Sequence, residues 1–505
     1  MEKRHNIVKV VFVTLLVFLL LSWILPAAYF QAEYVEQGRI QMGLFDIFNY
    51  PITAISYFGY IAVFILVVGG FYGILNRIGA YRKMLDKLST IFKKHGKLAI
   101  SIMMVLLAVI TSICGLQLGL IVFFPFIISI ILLMGYDKIV AALTVVGSTM
   151  VGIAGTTFAY SNTSIITSVL SVKITSNILL KILVLVLGLA LLIGNTIIYI
   201  INSEKGSKTK KIAAKKSTNK ESKNDIELLI PNDTKTKSSI VPMIVVFSVI
   251  FVIMILSFIS WSGAFSNNAF EDATSAVTEF KIFKFALFGK LLGNVNAFGS
   301  WTLTDLSGML VVAILLLALI YKVKFNDVID AFFDGMKKAL IPTVIVVLIY
   351  TGLVITTYHP FQLVIYKAIF GLTKGFNIFT AMITGILASV FNADPLYSFQ
   401  SVIPYLASVV SKDVYKTIAA LYPAVYGLTM LVAPTSVVLM VVLSYMGISY
   451  KDWLKNIWKL LLEFLAIILV LFLIFSPMAI VLKIVLIVIS LAVIILLTLS
   501  SLSII

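Results

Sequence analysis

The chain is poor in the residues that most chemistry needs. Of its 505 residues one is cysteine, Cys114, which excludes an internal disulfide framework and any cysteine-based metal centre. Three are histidine, at positions 5, 95 and 359, with no metal-ligand spacing between them. Charged residues make up 12% of the chain, and acidic ones are the scarcer, 22 against 39 Lys and Arg. No P-loop or phosphate-transfer motif is present, so nothing suggests a primary pump. A membrane-embedded enzyme would lack an obvious catalytic set. What is abundant is apolar: 61% of residues are hydrophobic and mean hydropathy is +1.09. About ten segments approach the roughly 20 apolar residues that cross a bilayer. The net charge of +17 resides in loops between them, as in a positive-inside membrane protein, and calls for no nucleic-acid partner.

In chain order, 8–30 reads as an uncleaved first span entering from the cytoplasm, too long for a signal-peptide core. Residues 52–75 return. Arg77, Arg82, Lys83, Lys87, Lys93, Lys94 and Lys97 with interleaved apolar residues form a basic amphipathic segment expected flat on the cytoplasmic surface. Residues 98–134 are too long for one crossing and too short for two; their centre T-S-I-C-G-L-Q-L-G is small and polar. The length fits a hairpin turning back mid-membrane, tolerated only where protein or water covers its backbone. Residues 139–170 then go out and 178–201 come back. Residues 202–240 turn abruptly to Lys, Ser, Thr and Asn and read as a disordered cytoplasmic linker. The plan then repeats over 241–476, with an outside loop at 262–304 and one extra crossing, 340–357. That extra crossing makes a second hairpin, 376–410, enter from outside. The expected fold is all-α and polytopic: about ten transmembrane helices plus two re-entrant hairpins in two inverted repeats (1–201 and 241–476), with 477–505 an additional span.

Two of these segments carry polar breaks. Residues 155–164 read G-T-T-F-A-Y-S-N-T-S and 427–436 read G-L-T-M-L-V-A-P-T-S. At one constant offset Gly155 matches Gly427, Thr157 matches Thr429, Thr163 matches Thr435 and Ser164 matches Ser436. Paired breaks in corresponding halves are the best sequence-level pointer to a secondary transporter's binding site. Hydroxyls and unwound carbonyls suit a hard cation, so Thr157, Ser161, Thr163, Thr429 and Ser436 are candidate sodium ligands, while half-helix N-termini suit an anionic substrate. Ser112 and Gln117 on the first hairpin tip, Asn162 and Thr435 on the breaks, and Asn392, Asp394, Ser398 and Gln400 on the second tip are candidate substrate contacts. Asp394 is the one acidic residue expected deep in an apolar region, where ionisable groups mark ion or substrate paths. His359, beside Pro360, reads as an ordinary loop histidine at the outer interface.

F-F-P-F-I-I-S-I-I-L-L-M-G-Y-D-K followed by V-G-I-A-G-T-T, and A-P-T-S-V-V-L-M-V-V-L-S-Y-M-G-I-S-Y-K-D-W-L-K near the end, resemble YfcC/DcuC-type carriers of the ion transporter superfamily. The resemblance implies two inverted repeats enclosing the substrate between hairpins and broken helices, a homodimer, and an elevator-like mechanism. At the first tip, where such members commonly carry paired acidic residues, this chain has Gly115-Leu116-Gln117-Leu118-Gly119.

The expectation is therefore a multi-pass carrier of the cytoplasmic membrane, both termini inside. Its substrate would be a small polar, carboxylate-bearing metabolite (a dicarboxylate, amino acid or peptide), and it would use no cofactor beyond sodium or a proton as coupling ion, or work by exchange. Its partners would be the substrate and the lipid bilayer. A channel is the alternative, since a leak leaves the same sequence pattern.

Overall fold

A computed structural model of the chain describes residues 2–213, 238–293, 295–373, 375–474 and 480–502. Among these residues nine helices are long and apolar enough to cross a membrane. Eight are the unbroken crossings anticipated above. The ninth is the first hairpin arm, Gly96–Cys114. The two polar segments appear as pairs of short helices, Lys138–Ala154 with Tyr160–Leu170 and Tyr415–Met430 with Val437–Met446. The protein is an all-α polytopic membrane protein.

Side-chain contacts sort the helix ends onto two faces. On one, Arg77 lies 3.7 Å from Asp334 and Lys97 3.4 Å from Glu204, and Lys138 Nζ donates to the Met446 carbonyl at 2.8 Å. This basic face gathers the ends that carry most of the Lys and Arg. On the opposite face, His359 bonds the Tyr50 hydroxyl (2.7 Å) and the Ile40 carbonyl (2.6 Å). There too a two-stranded ribbon, Ala28–Gln31 with Glu33–Glu36, follows the first helix. The first span thus ends at Ile24, and Ala28–Gln31 is strand, since Tyr, Phe and alternating polar residues favour a half-covered ribbon. His359 is buried, held between a helix end and a loop, not exposed at the interface as expected.

The most extensive helix pair is Asp46–Arg77 against Phe325–Tyr358. Small residues let the backbones meet: a Cβ on Gly335 would collide with the Gly69 carbonyl, and one on Gly73 with the Ala331 carbonyl. Without a hydrophobic drive between helices in lipid, such close backbone packing is what associates them. The segment F-N-D-V-I-D-A-F-F-D-G-M-K-K, which resembles the basic amphipathic segment of the first half, does not form a separate helix but opens this 34-residue one. Gly79–Lys93 is separate, but its apolar face is covered by protein. Tyr81, Met84 and Leu85 are buried, and Tyr81 stacks on Phe247 with ring centres 6.0 Å apart. Helix Ile178–Ala213 runs beyond 201, its last turns rich in good helix formers such as Lys. The rest of the expected linker, 214–237, lies outside the described residues.

The hairpins enter from different faces. The ends of the first (Gly96–Cys114 and Phe124–Leu133) adjoin the basic face. The ends of the second (Ile378–Phe391 and Pro395–Val409) adjoin the strand ribbon, where Tyr405 meets Phe30 at 5.9 Å. The first tip is not at mid-depth. A 19-residue arm rises about 28 Å at 1.5 Å per residue, and Gly119 sits beside Leu306 and Phe258, at the far ends of helices Leu303–Ile320 and Val241–Phe258.

Gly335→Val should lower stability by on the order of 1–3 kcal/mol through overpacking. Gly308→Ala, whose added carbon meets nothing within 4 Å, should leave thermal unfolding in detergent unchanged.

Candidate functional site: two hairpin tips on two broken helices

In the first broken helix the chain leaves helical geometry at Gly155 and resumes it at Tyr160. The unwound stretch is 155–159, shorter than expected. The hairpin tip closes it. Ser112 Oγ donates to the Gly155 carbonyl at 2.6 Å, and the Thr157 and Phe158 amides donate to the Ser112 carbonyl at 2.9 and 3.3 Å. The Thr157 hydroxyl lies 3.0 Å from Ser112 Oγ. Asn162 Nδ2 donates to the Gly115 carbonyl at 3.2 Å. Gly115 ends the arm in the left-handed region, φ 71°, where glycine costs least. A Cβ there would press on Ser161 Oγ. One serine and one asparagine therefore weld tip to break.

The second break is held differently. Helix Tyr415–Met430 continues through Gly427 and Thr429, and only 431–436 are unwound. Its free carbonyls are taken by the next helix, Tyr450–Ile474. Trp453 Nε1 donates to the Leu431 carbonyl at 2.8 Å, and the Tyr450 hydroxyl donates to that of Val432. Thr435 Oγ1 donates to the Val390 carbonyl at 2.9 Å, joining the break to the second hairpin arm. Gly427 serves the crossing of the broken helices: a Cβ there would strike the Met150 carbonyl and the Ala154 amide. Its counterpart Gly155 instead faces Leu185, so the aligned glycines do different work.

The second turn is only Asn392–Asp394; Ser398 and Gln400 stand on the helical arm that follows. Asp394 caps that arm, accepting the Leu396 amide at 2.8 Å, with Pro395 at the first helical position. The cap is partly buried, not a water-exposed surface turn. Asn392 Nδ2 donates to the Ala388 carbonyl at 2.9 Å. It also lies 3.5 Å from both the Gln362 side chain and the Ser401 hydroxyl. Asn392 and Gln400 border a pocket of about 380 Å³ that also reaches Gln362, Tyr397 and the strand Ala28–Gln31. Tyr426 ties its helix to the second turn, its hydroxyl donating to the Ala393 carbonyl at 3.0 Å, while Gln117 lies half-buried in the first tip. The arm Pro395–Val409 packs along Tyr160–Leu170.

The five expected cation ligands are not one cluster. Thr163 and Thr429 are helical, and their hydroxyls bond the carbonyls of Ala159 (3.1 Å) and Val425 (2.8 Å), the back-bonding that a helical Thr favours. Thr157 is engaged with Ser112, and Ser161 is exposed. Ser436 differs: its buried hydroxyl, like that of Ser398, has no hydrogen-bond partner among the described residues. Among those residues no group of three or more His, Cys, Asp and Glu is placed to hold a metal.

Sequence reasoning named Tyr426 as lining the site or packing but missed Tyr450 and Trp453; an aromatic pair three residues apart after a break was the available signal. It also missed Glu463, a second buried acid, which accepts Asn195 Nδ2 at 2.7 Å.

The family model for DcuC, the C4-dicarboxylate anaerobic carrier, matches residues 5–479. The chain belongs to this family. An uncharacterized protein of Haemophilus influenzae is 28% identical over 128 residues, a match that takes in only a quarter of this chain and a quarter (25%) of that relative. The crystal structure of the Alcanivorax borkumensis YdaH transporter aligns over 92% of this DcuC-family chain and 97% of its own, with 13% identity and a TM-score of 0.38. A likeness that low decides nothing about mechanism.

Ser112→Ala leaves the buried Gly155 carbonyl unmatched and should cost about 1–3 kcal/mol. Trp453→Phe should do the same at Leu431. Thermal unfolding in detergent should show both well below Ser101→Ala, whose hydroxyl bonds only its own helix.

Proposed function

We propose that this DcuC-family protein is a secondary carrier moving a small carboxylate-bearing metabolite, a four-carbon dicarboxylate first of all, by alternating access. The observation that carries the reading is the pair of buried, unpartnered hydroxyls, Ser398 and Ser436, within the second hairpin and its break. A buried polar group without a partner is costly, and a ligand carboxylate could accept from either hydroxyl. Ser436 also starts helix Val437–Met446 without capping it, which leaves amide N–H groups and the positive end of the helix dipole open to an anionic group there. Asn162, Gln117, Asn392 and Gln400 supply further polar contacts, and Ser112 and Thr435 hold the frame.

Sodium or a proton would couple transport. Asp394 is the candidate carrier of the coupling charge, being partly buried at the turn in a place where ionisable groups are rarely kept without use. Its carboxylate equally suits a substrate amine, which keeps amino acids and peptides as the second substrate class. The basic face would lie in the cytoplasm of a cell membrane with both termini on it, following the bias of Lys and Arg, and the family resemblance supports a homodimer.

Purified protein in proteoliposomes should accumulate a radiolabelled four-carbon dicarboxylate saturably, driven by a sodium or proton gradient, and should show counterflow. Downhill flux without counterflow would mark a channel. Asn162→Ala and Thr435→Ala should each cut initial uptake roughly tenfold or more, the expected scale for an unmatched buried partner. Replacing 214–237 by a Gly/Ser segment of equal length should leave uptake intact.

A further inference from the structure

The outer part of the excursion between helices Val241–Phe258 and Leu303–Ile320 is not used by the site described above. It contains a helical hairpin, Ala269–Glu279 and Leu287–Leu292, pressed together where Gly289 meets the Thr278 carbonyl. The two helices are joined by a tight turn. Ile282 and Phe285 exchange both backbone hydrogen bonds at 2.9 Å, and the two residues between them, Phe283 and Lys284, both have positive φ, 48° and 67°. Such turns are ordinarily made by Asn-Gly or Gly-Gly. A bulky Phe in the left-handed region is uncommon, and here it is held fully exposed, at 100%.

The exposure continues through Phe285, Phe288 and Leu291, with Lys281, Lys284 and Lys290 interleaved. Soluble surfaces do not assemble apolar residues in that way without a partner. Two observations name the partner. The loop is short-tethered at the membrane: it leaves one span at Phe258, re-enters another at Leu303, and its base is closed by the Gly299 amide donating to the Ser257 carbonyl at 2.9 Å. Its composition, aromatic and aliphatic residues alternating with Lys, is that of a segment lying in the headgroup region, where apolar groups reach the acyl boundary and ammonium groups meet anionic phosphates.

We propose that Phe280 to Leu292 is an interfacial anchor, with Phe283 as its wedge, docked into the anionic lipid surface on the face opposite the basic one. The hairpin would hold the end of the excursion down while the adjoining helix Trp261–Phe265 touches the first break, where Phe265 stacks on Phe158 at 5.1 Å.

The test uses full-length protein in vesicles of phosphatidylcholine and phosphatidylglycerol, in a Cys114→Ala background. A nitroxide is placed at Phe283→Cys, with Val13→Cys on an exposed position of a span and Glu33→Cys on the exposed strand ribbon as references. The label at 283 should be several-fold more accessible to oxygen than to a nickel chelate, close to Val13 and unlike Glu33. It should deepen as phosphatidylglycerol is raised, and the triple variant Lys281→Gln, Lys284→Gln, Lys290→Gln should lose that response. A label that behaves like the one at Glu33 overturns the proposal. So does one shielded from both reagents, which would place protein on the surface, and so does a depth independent of anionic lipid.

Discussion

A backbone N–H or C=O released inside hydrocarbon must find a partner within the protein, because no water is there to supply one. This protein breaks two helices, and nearly everything around the site follows from how the released groups are met. At the first break Ser112 gives its hydroxyl to Gly155 and its carbonyl to two amides, which commits the first hairpin to that position. At the second, Trp453 and Tyr450 meet Leu431 and Val432, which commits the following helix. Thr435 meets Val390 and commits the second hairpin. Gly427 lets the broken helices cross in backbone contact, and Tyr426 ties its helix to the second turn. The result is an interlocked core beside the close-packed pair Asp46–Arg77 and Phe325–Tyr358.

Much of this frame was legible because its signals are local. Apolar run length defined the eight unbroken crossings, and the F-N-A-D-P stretch marked the second turn to within a residue or two. The constant offset between Gly155 and Gly427 located both breaks. What was not legible depended on partners. Thr163 and Thr429 look like loop oxygens in sequence, yet a Thr whose hydroxyl bonds the carbonyl four residues back is at ease in a helix. Ser398 and Gln400 belong to a helical arm because Asp394 and Pro395 start it early. Glu463 lies in a helix whose opening is amphipathic, so its burial is known only when Asn195 and helix Ile480–Leu502 are set against it. His359 looked like a loop residue, and Tyr50 made it a buried one.

The two halves reach similar ends with unlike means. The first break is sealed by the tip that faces it, through one small side chain. The second is sealed mainly from behind, by aromatic donors from outside the hairpin. Two hydroxyls stay uncommitted there, Ser398 on the hairpin's second arm and Ser436 at the end of the break. Polar capacity is therefore unevenly spent, almost exhausted at the first break and partly in reserve at the second.

The bonds from Tyr450 and Trp453 reach further than the break. Only Gly447 to Ser449 separate helix Val437–Met446 from Tyr450, so this turn has little slack, and the helix it leads into carries Lys451 and Lys455 in its first two turns. Tightening or opening the second break must swing that turn. The membrane-buried joint thus has a lever protruding from the protein, through which its posture is legible, and alterable, from the aqueous side.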